Sequence, residues 1–230
     1  MRTTEQLIEA IQDEARRAEF PIDMAVYQKA GKDPTRPIPW AGSLDAPVCV
    51  FARDLGKDEV AVGQPLVGAG GRLVRAGVYQ ACHGEPPPAT DRTLQSVLDR
   101  VLLTNTVPYK PPGNKAYAGS IKERFRPFVA ELLAAHWTGG DRVITLGTEA
   151  FQWFAPYAAD PDAFAAFWRR EDRYDAEIGV TLVAAPAGAA VEKPLTLLPL
   201  PHPSPLNQRW YKQFPDLPTR RLQALPPAPA

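Results

Sequence analysis

The sequence predicts an α/β fold: a three-layer sandwich with a central four-stranded parallel sheet flanked by helices. Three observations predict it. Four short apolar runs stand along the chain, helical patterns separate them, and none of the runs alternates cleanly between apolar and polar. Strands that alternate with helices build parallel sheets with helices on both faces. Strands covered on both faces read as continuous apolar runs.

The elements follow in order. Thr3–Ala18 is a predicted helix. Thr3 and Gln6 can form a capping box, and Leu7, Ile8, Ile11 and Ala15 share a face. A loop with Pro34, Pro37 and Pro39 leads to the first run, Pro47–Ala52. A helical pattern over Asp91–Leu98 precedes the second run, Arg100–Thr104. Ser120–Trp137 is the strongest helix. Ser120 and Glu123 can form a capping box, and Phe125, Phe128, Val129, Leu132 and Leu133 share a face. Pro127 inside it predicts a kink or a restart. Arg142–Leu146 is the third run, with helices expected over Thr148–Tyr157 and Asp162–Arg170. Leu195–Leu200 is the fourth. Residues 1–224 are read as one domain and 225–230 as a disordered tail.

Composition narrows the function. The chain has 230 residues, zero formal net charge, 45% hydrophobic and 23% charged residues. That excludes a disordered or collagen-like chain. No apolar run reaches the ~18 residues that cross a bilayer, so no membrane role is expected. The start of the chain carries no signal-peptide h-region. Two cysteines fit a reducing, cytoplasmic setting. The 26 prolines are roughly twice the usual share of ~5% and imply rigid loops. Between residues 109 and 126 lie Lys110, Lys115, Lys122, Arg124 and Arg126 against Glu123; Arg209, Lys212, Arg220 and Arg221 gather later. These are either solvated faces or a local patch for nucleic acid.

In open α/β sheets, ligands bind beyond the carboxyl ends of the strands. Asp54 follows the first run, Asn105 the second and His202 the fourth. If the sheet is parallel, the three converge. A carboxylate, a carboxamide and an imidazole can supply a base, a reader of an amide-like edge and a donor to a developing anion. Asp54 could equally cap a turn, and Asn105 could be an ordinary loop residue. The rigid Pro-His-Pro-Ser-Pro turn is harder to read as structural only. Cys82-His83 alone is too little for a metal site.

Three motifs then carry a family resemblance. The first is Arg53-Asp54-Leu55-Gly56-Lys57-Asp58-Glu59 with Gly63-Gln64-Pro65-Leu66-Val67-Gly68. The second is Thr104-Asn105-Thr106-Val107-Pro108-Tyr109-Lys110-Pro111-Pro112-Gly113-Asn114-Lys115. The third is His202-Pro203-Ser204-Pro205-Leu206. Together they resemble the uracil-DNA glycosylase superfamily, with spacing closest to its family-4 branch. They are similar to its GEAPG and GRPFVG segments, its TNVVKYRPPGNR segment and its HPS motif. The resemblance implies a four-stranded parallel sheet and hydrolysis of the N-glycosidic bond of a base flipped out of DNA. It implies that Asp54 places or activates water, that His202 donates to the base, and that Asn105 bonds the base edge. Leu66, Gly56 and Arg53 fall at base-pocket positions. Leu206 falls at the wedge that fills the vacated stack. Ser204, Lys110, Asn114, Lys115 and Arg209 are expected at the DNA backbone.

The departures are specific. Family-4 members carry an iron–sulfur cluster on four cysteines. Here Phe125 stands where one is usual, so no cofactor and no metal are expected. Leu66 replaces the aromatic that stacks on uracil, and Gly56 replaces a Tyr found in the branch with GQDPYH. Arg53 replaces Glu or Gln. The stretch Arg75–Arg100 is longer than usual and is expected to add a surface loop. The expected function is a monofunctional uracil-DNA glycosylase, monomeric, cytoplasmic and nucleoid-associated, whose partner is DNA holding uracil or a related deaminated base. The alternative is a superfamily member that binds DNA or acts on another deaminated base. A nucleotide hydrolase is disfavoured, because Gly68-Ala69-Gly70-Gly71 matches no phosphate-binding spacing.

Overall fold

Val48–Ala52 is buried at all five positions, so it has no solvent face and belongs inside a sheet. The computed structural model describes residues 2–91, 93–113 and 115–223. Among them, β1 (Trp40–Gly42), β2 (Val48–Ala52), β3 (Leu102–Asn105), β4 (Arg142–Leu146), β5 (Ile178–Ala184) and β6 (Val191–Leu200) form one sheet in the order β1-β3-β2-β4-β6-β5. The four predicted runs are its inner strands, β3-β2-β4-β6, mutually parallel.

The expectation of a purely four-stranded parallel sheet is corrected: the sheet has six strands, and both edges are antiparallel. β1 is three residues long, too short for a periodic signal. β5 alternates, with Val180, Leu182 and Ala184 buried and Thr181 and Val183 exposed. An edge strand keeps one face in water, unlike the inner four.

The helices are α1 (Thr4–Arg17), α2 (Met24–Ala30), α3 (Lys57–Val62), α4 (Ala69–His83), α5 (Gly119–Glu131), α6 (Thr148–Gln152), α7 (Pro161–Arg169), α8 (Gln208–Tyr211) and α9 (Asp216–Gln223). Strand side chains alternate between faces, which gives the sheet two cores. Cys49, Phe51, Leu102, Val143 and Leu197 pack with Val129, Phe151 and Phe164 from α5, α6 and α7. Val48, Val50, Leu103, Ile144 and Leu198 pack with Val74, Val78 and Leu217 from α4 and α9. The sheet is thus flanked by helices on both faces.

Local expectations fared unevenly. Thr3 and Gln6 form their capping box at α1. Ser120 and Glu123 do not: α5 starts at Gly119, and Glu123 pairs with Arg126. α5 runs through Pro127 and closes in a π-turn over Leu132–His136. Asp91–Leu98 is a 3-10 turn over Gln95–Asp99. Cys82 and His83 lie in the last turn of α4 rather than in a loop. Residues 225–230 lie outside the described residues. No helix among the described residues is long and apolar enough to cross a membrane.

A further cluster ties α1 to α5. Leu7 and Ile11 pack with Tyr109, Tyr117 and Phe125. Phe125 is fully buried, with ring centroids 5.1 Å from Phe20 and 5.5 Å from Tyr109. Phe125→Ala is expected to cost about 3–5 kcal/mol, read as a lowered denaturant midpoint with unchanged slope.

Candidate active site

The carboxyl ends of the parallel strands are in register: Ala52 pairs with Asn105 across β2 and β3, and Leu146 with Leu200 across β4 and β6. Beyond these ends opens a cavity of about 550 Å³. Arg53, Asp54, Leu66, Leu146, His202 and Leu206 are among the residues that line it. Its place is the crevice where α/β sheets bind ligands.

Asp54 lies two residues past β2, and neither of its carboxylate oxygens has a hydrogen-bond partner of ordinary geometry. Burial raises its pKa to about 6, against the pull of the Arg53 and Lys122 charges and of the nearby Tyr117 backbone N–H. The carboxylate is therefore ionised at neutral pH, with no side chain bonded to it in ordinary geometry. A buried acceptor in that state suits a bound water.

His202 lies two residues past β6. Burial, and after it the Arg53 charge, lower its pKa to about 4. Its imidazole is neutral at neutral pH and can donate one N–H. Gly147, at the end of β4, makes room for it. Its φ is +83°, and a Cβ there would come within 2.9 Å of the His202 Cβ. The 202 turn also closes on itself. Ser204 N–H and Asn207 Nδ2 donate to the His202 carbonyl at 2.8 and 3.3 Å, and Leu206 N–H donates to Ser204 Oγ at 3.3 Å. Leu206, which lines the cavity, stands 95% exposed.

Asn105 is placed differently. It is 3% exposed, its carbonyl oxygen has no partner, and it is not among the residues that line the cavity. It sits beside Ala52, which does line it. Of the three convergent residues, Asp54 and His202 share the cavity and Asn105 lies one strand away. Its neighbour Thr106 holds the first loop: its N–H and hydroxyl both donate to the Arg53 carbonyl.

Glu59, in the first turn of α3, falls in the first motif, but the sequence assigned it no role. Its carboxylate accepts from the N–H groups of Gly56 at 3.0 Å, Val67 at 3.0 Å and Gly68 at 2.7 Å. It joins the loop after β2 to the loop that carries Leu66. This also explains Gly56, because a Cβ there would meet the Glu59 carboxylate at 2.5 Å. The signal was the spacing of Glu59 three residues after Gly56, the N3 position of a helix start.

The expected basic contacts to DNA divide. Lys110 is 3% exposed, and its ammonium donates to Asp23 Oδ2 and to the Pro111 and Gly113 carbonyls at 2.7–2.8 Å. Those three bonds engage all its donors, and Lys110 is also among the residues that line the cavity. Lys122 pairs with Glu149, Arg124 with Glu14, and Arg126 with Glu123. Lys115 lines the cavity mouth and is exposed. Arg209 is exposed, with its guanidinium 4.9 Å over the Trp210 ring. Asn114 lies outside the described residues.

The residues do not fit the four-cysteine cluster. The chain has two cysteines: Cys49 is buried in β2 and Cys82 is exposed on α4. The described residues contain no group of three or more His, Cys, Asp or Glu side chains able to hold a metal.

The model of the family described as "Uracil DNA glycosylase superfamily" matches residues 39–225, which span every strand and the whole cavity lining after Val26. No curated protein matches the chain.

Proposed function

The chain belongs to the uracil DNA glycosylase superfamily, and on that premise we propose that it is a monofunctional DNA glycosylase that hydrolyses the N-glycosidic bond of uracil in DNA. The observation that carries this reading is the pairing, in one cavity, of a buried ionisable carboxylate with no side-chain partner and a neutral imidazole.

The chemistry then runs as follows. Asp54 orients a water and accepts its proton as the oxygen bonds to C1′ of the sugar. The C1′–N1 bond breaks, and its electron pair leaves with the base. His202 donates a hydrogen bond to the base oxygen on which negative charge develops. The Arg53 charge, felt by both Asp54 and His202, adds a positive field at the cavity. Leu206 enters the stack that the flipped base leaves. Ser204, Lys115 and Arg209 face the DNA backbone. Residues 1–224 act as one domain, and the protein works as a monomer.

A second reading keeps the superfamily and changes the base. Leu66 at the cavity offers no aromatic platform. Stacking on an aromatic is worth about 1–3 kcal/mol per base. A panel of oligonucleotides with uracil, hypoxanthine or xanthine separates the readings: excision confined to a purine lesion would favour the second.

The pH dependence has a defined sign. Asp54 must be ionised to accept a proton, so kcat/KM is expected to fall as pH drops through about 6. His202 stays neutral down to about pH 4 and adds no limb in that range. A flat profile from pH 5 to 8 would remove Asp54 from the base role.

A further inference from the structure

Arg75 lies in α4 with none of its surface exposed. A buried guanidinium is costly unless its donors are matched. Its Nε donates to the Leu66 carbonyl at 2.8 Å, and one terminal nitrogen donates to the Pro65 carbonyl at 3.0 Å and to Gln64 Oε1 at 3.2 Å. The other terminal nitrogen donates to the Thr93 carbonyl at 2.9 Å. Three of these four acceptors belong to residues 64–66.

Leu66 has φ +55°, and Leu94, beside Thr93, has φ +50°. They are the two non-glycine residues in the left-handed region among the described residues. Leucine resists that region, and it persists only where the surroundings over-determine it. Each of these residues is, or adjoins, a carbonyl that Arg75 holds. The other side of the loop is fixed too: Glu59 takes the N–H groups of Val67 and Gly68. α4 presses directly on this loop, since a Cβ at Gly71 would collide with the Leu66 backbone. Leu66 lines the cavity; Arg75 does not.

We propose that Arg75 is a positioning residue for the base pocket, holding Leu66 in the left-handed backbone conformation that makes it a wall of the cavity. The proposal rests on reading the cavity as the site of the base. Guanidinium geometry matters here: lysine keeps the charge but cannot reach Leu66, Pro65 and Thr93 together.

The test uses Arg75→Met and Arg75→Lys with three readouts: single-turnover excision of uracil, binding to abasic DNA, and hydrogen exchange of residues 64–68. Arg75→Met is expected to slow excision roughly 10- to 100-fold, with Arg75→Lys between it and the intact protein. Abasic DNA, which places no base in the cavity, is expected to bind within about twofold of the intact protein. Exchange of residues 64–68 is expected to be slow in the intact protein and accelerated in both variants, with the inner strands unchanged. A merely structural role would lower the melting temperature and leave excision per folded molecule intact, which overturns the proposal. Exchange of residues 64–68 in the intact protein as fast as that of the exposed Glu85, Ala89 and Thr90 amides would also overturn it. If Arg75→Met does not fold, Arg75→Lys and the intact protein's exchange decide. If the intact protein excises no base, the glycosylase reading fails, and the exchange measurements alone decide the role of Arg75.

Discussion

Asp54→Asn is expected to abolish base excision and, at the same time, to make the protein more stable. Loss of a positioned general base costs about 10²- to 10⁴-fold in rate. The gain in stability has a separate origin. Burial lifts the Asp54 pKa from 3.8 to about 6, so the folded protein prefers the protonated carboxyl. A group raised in this way supports the fold fully below its unfolded pKa, and the support is lost as pH rises through the folded value. Above pH 6 the ionised carboxylate therefore opposes folding. A shift of about two units corresponds to about 3 kcal/mol at most. Asparagine is neutral, so the variant is expected to gain about 1–3 kcal/mol at neutral pH, part of the gain being offset by its own unpaired amide. The gain should fade below about pH 4, where Asp54 is protonated in both states. Chemical denaturation of the two proteins at several pH values reads this directly. An equal stability at neutral pH would mean that Asp54 is solvated and unstrained.

His202→Ala is expected to slow excision by about 10²- to 10³-fold, the usual cost of one donor to a developing anion. Binding to abasic DNA is expected to survive, because abasic DNA places no base beside the ring. His202→Asn supplies an N–H from a shorter side chain and is expected to recover part of the loss. The low pKa sharpens the prediction. A neutral imidazole acts by hydrogen bonding rather than by giving up a proton, so the His202→Ala profile should keep the Asp54 limb and lose only height. A limb that moves with His202→Ala would show that the two groups titrate together.

Much of this was legible because the inner strands are buried on both faces. Four apolar runs gave four parallel strands, and the residues just beyond them gave Asp54 and His202. The edges were not legible. β5 has an apolar residue, Val183, on its exposed face, which blurs the alternation. α4 begins Ala-Gly-Gly, and the two glycines, poor helix formers, hid its start. Asn105 was placed on the crevice because it ends a strand, yet its side chain is buried beside Ala52. The partners of the charged residues were not legible: Lys110 is bonded by Asp23, 87 residues away. Arg75 carried no signal, since its partners are mostly backbone carbonyls, which every sequence has. Glu59 is similar: its partners are N–H groups from two loops brought together only by the fold.

The central claim is that this cavity removes uracil from DNA with Asp54 as the base. The most direct test is a single-turnover reaction with a labelled uracil oligonucleotide, single-stranded and paired with guanine or adenine, at a pH well above the Asp54 pKa of about 6. Alkali then cuts the strand wherever a base has been lost. The predicted result is cleavage by the intact protein that disappears with Asp54→Asn. Uracil left in place by the intact protein on all three substrates would contradict the account.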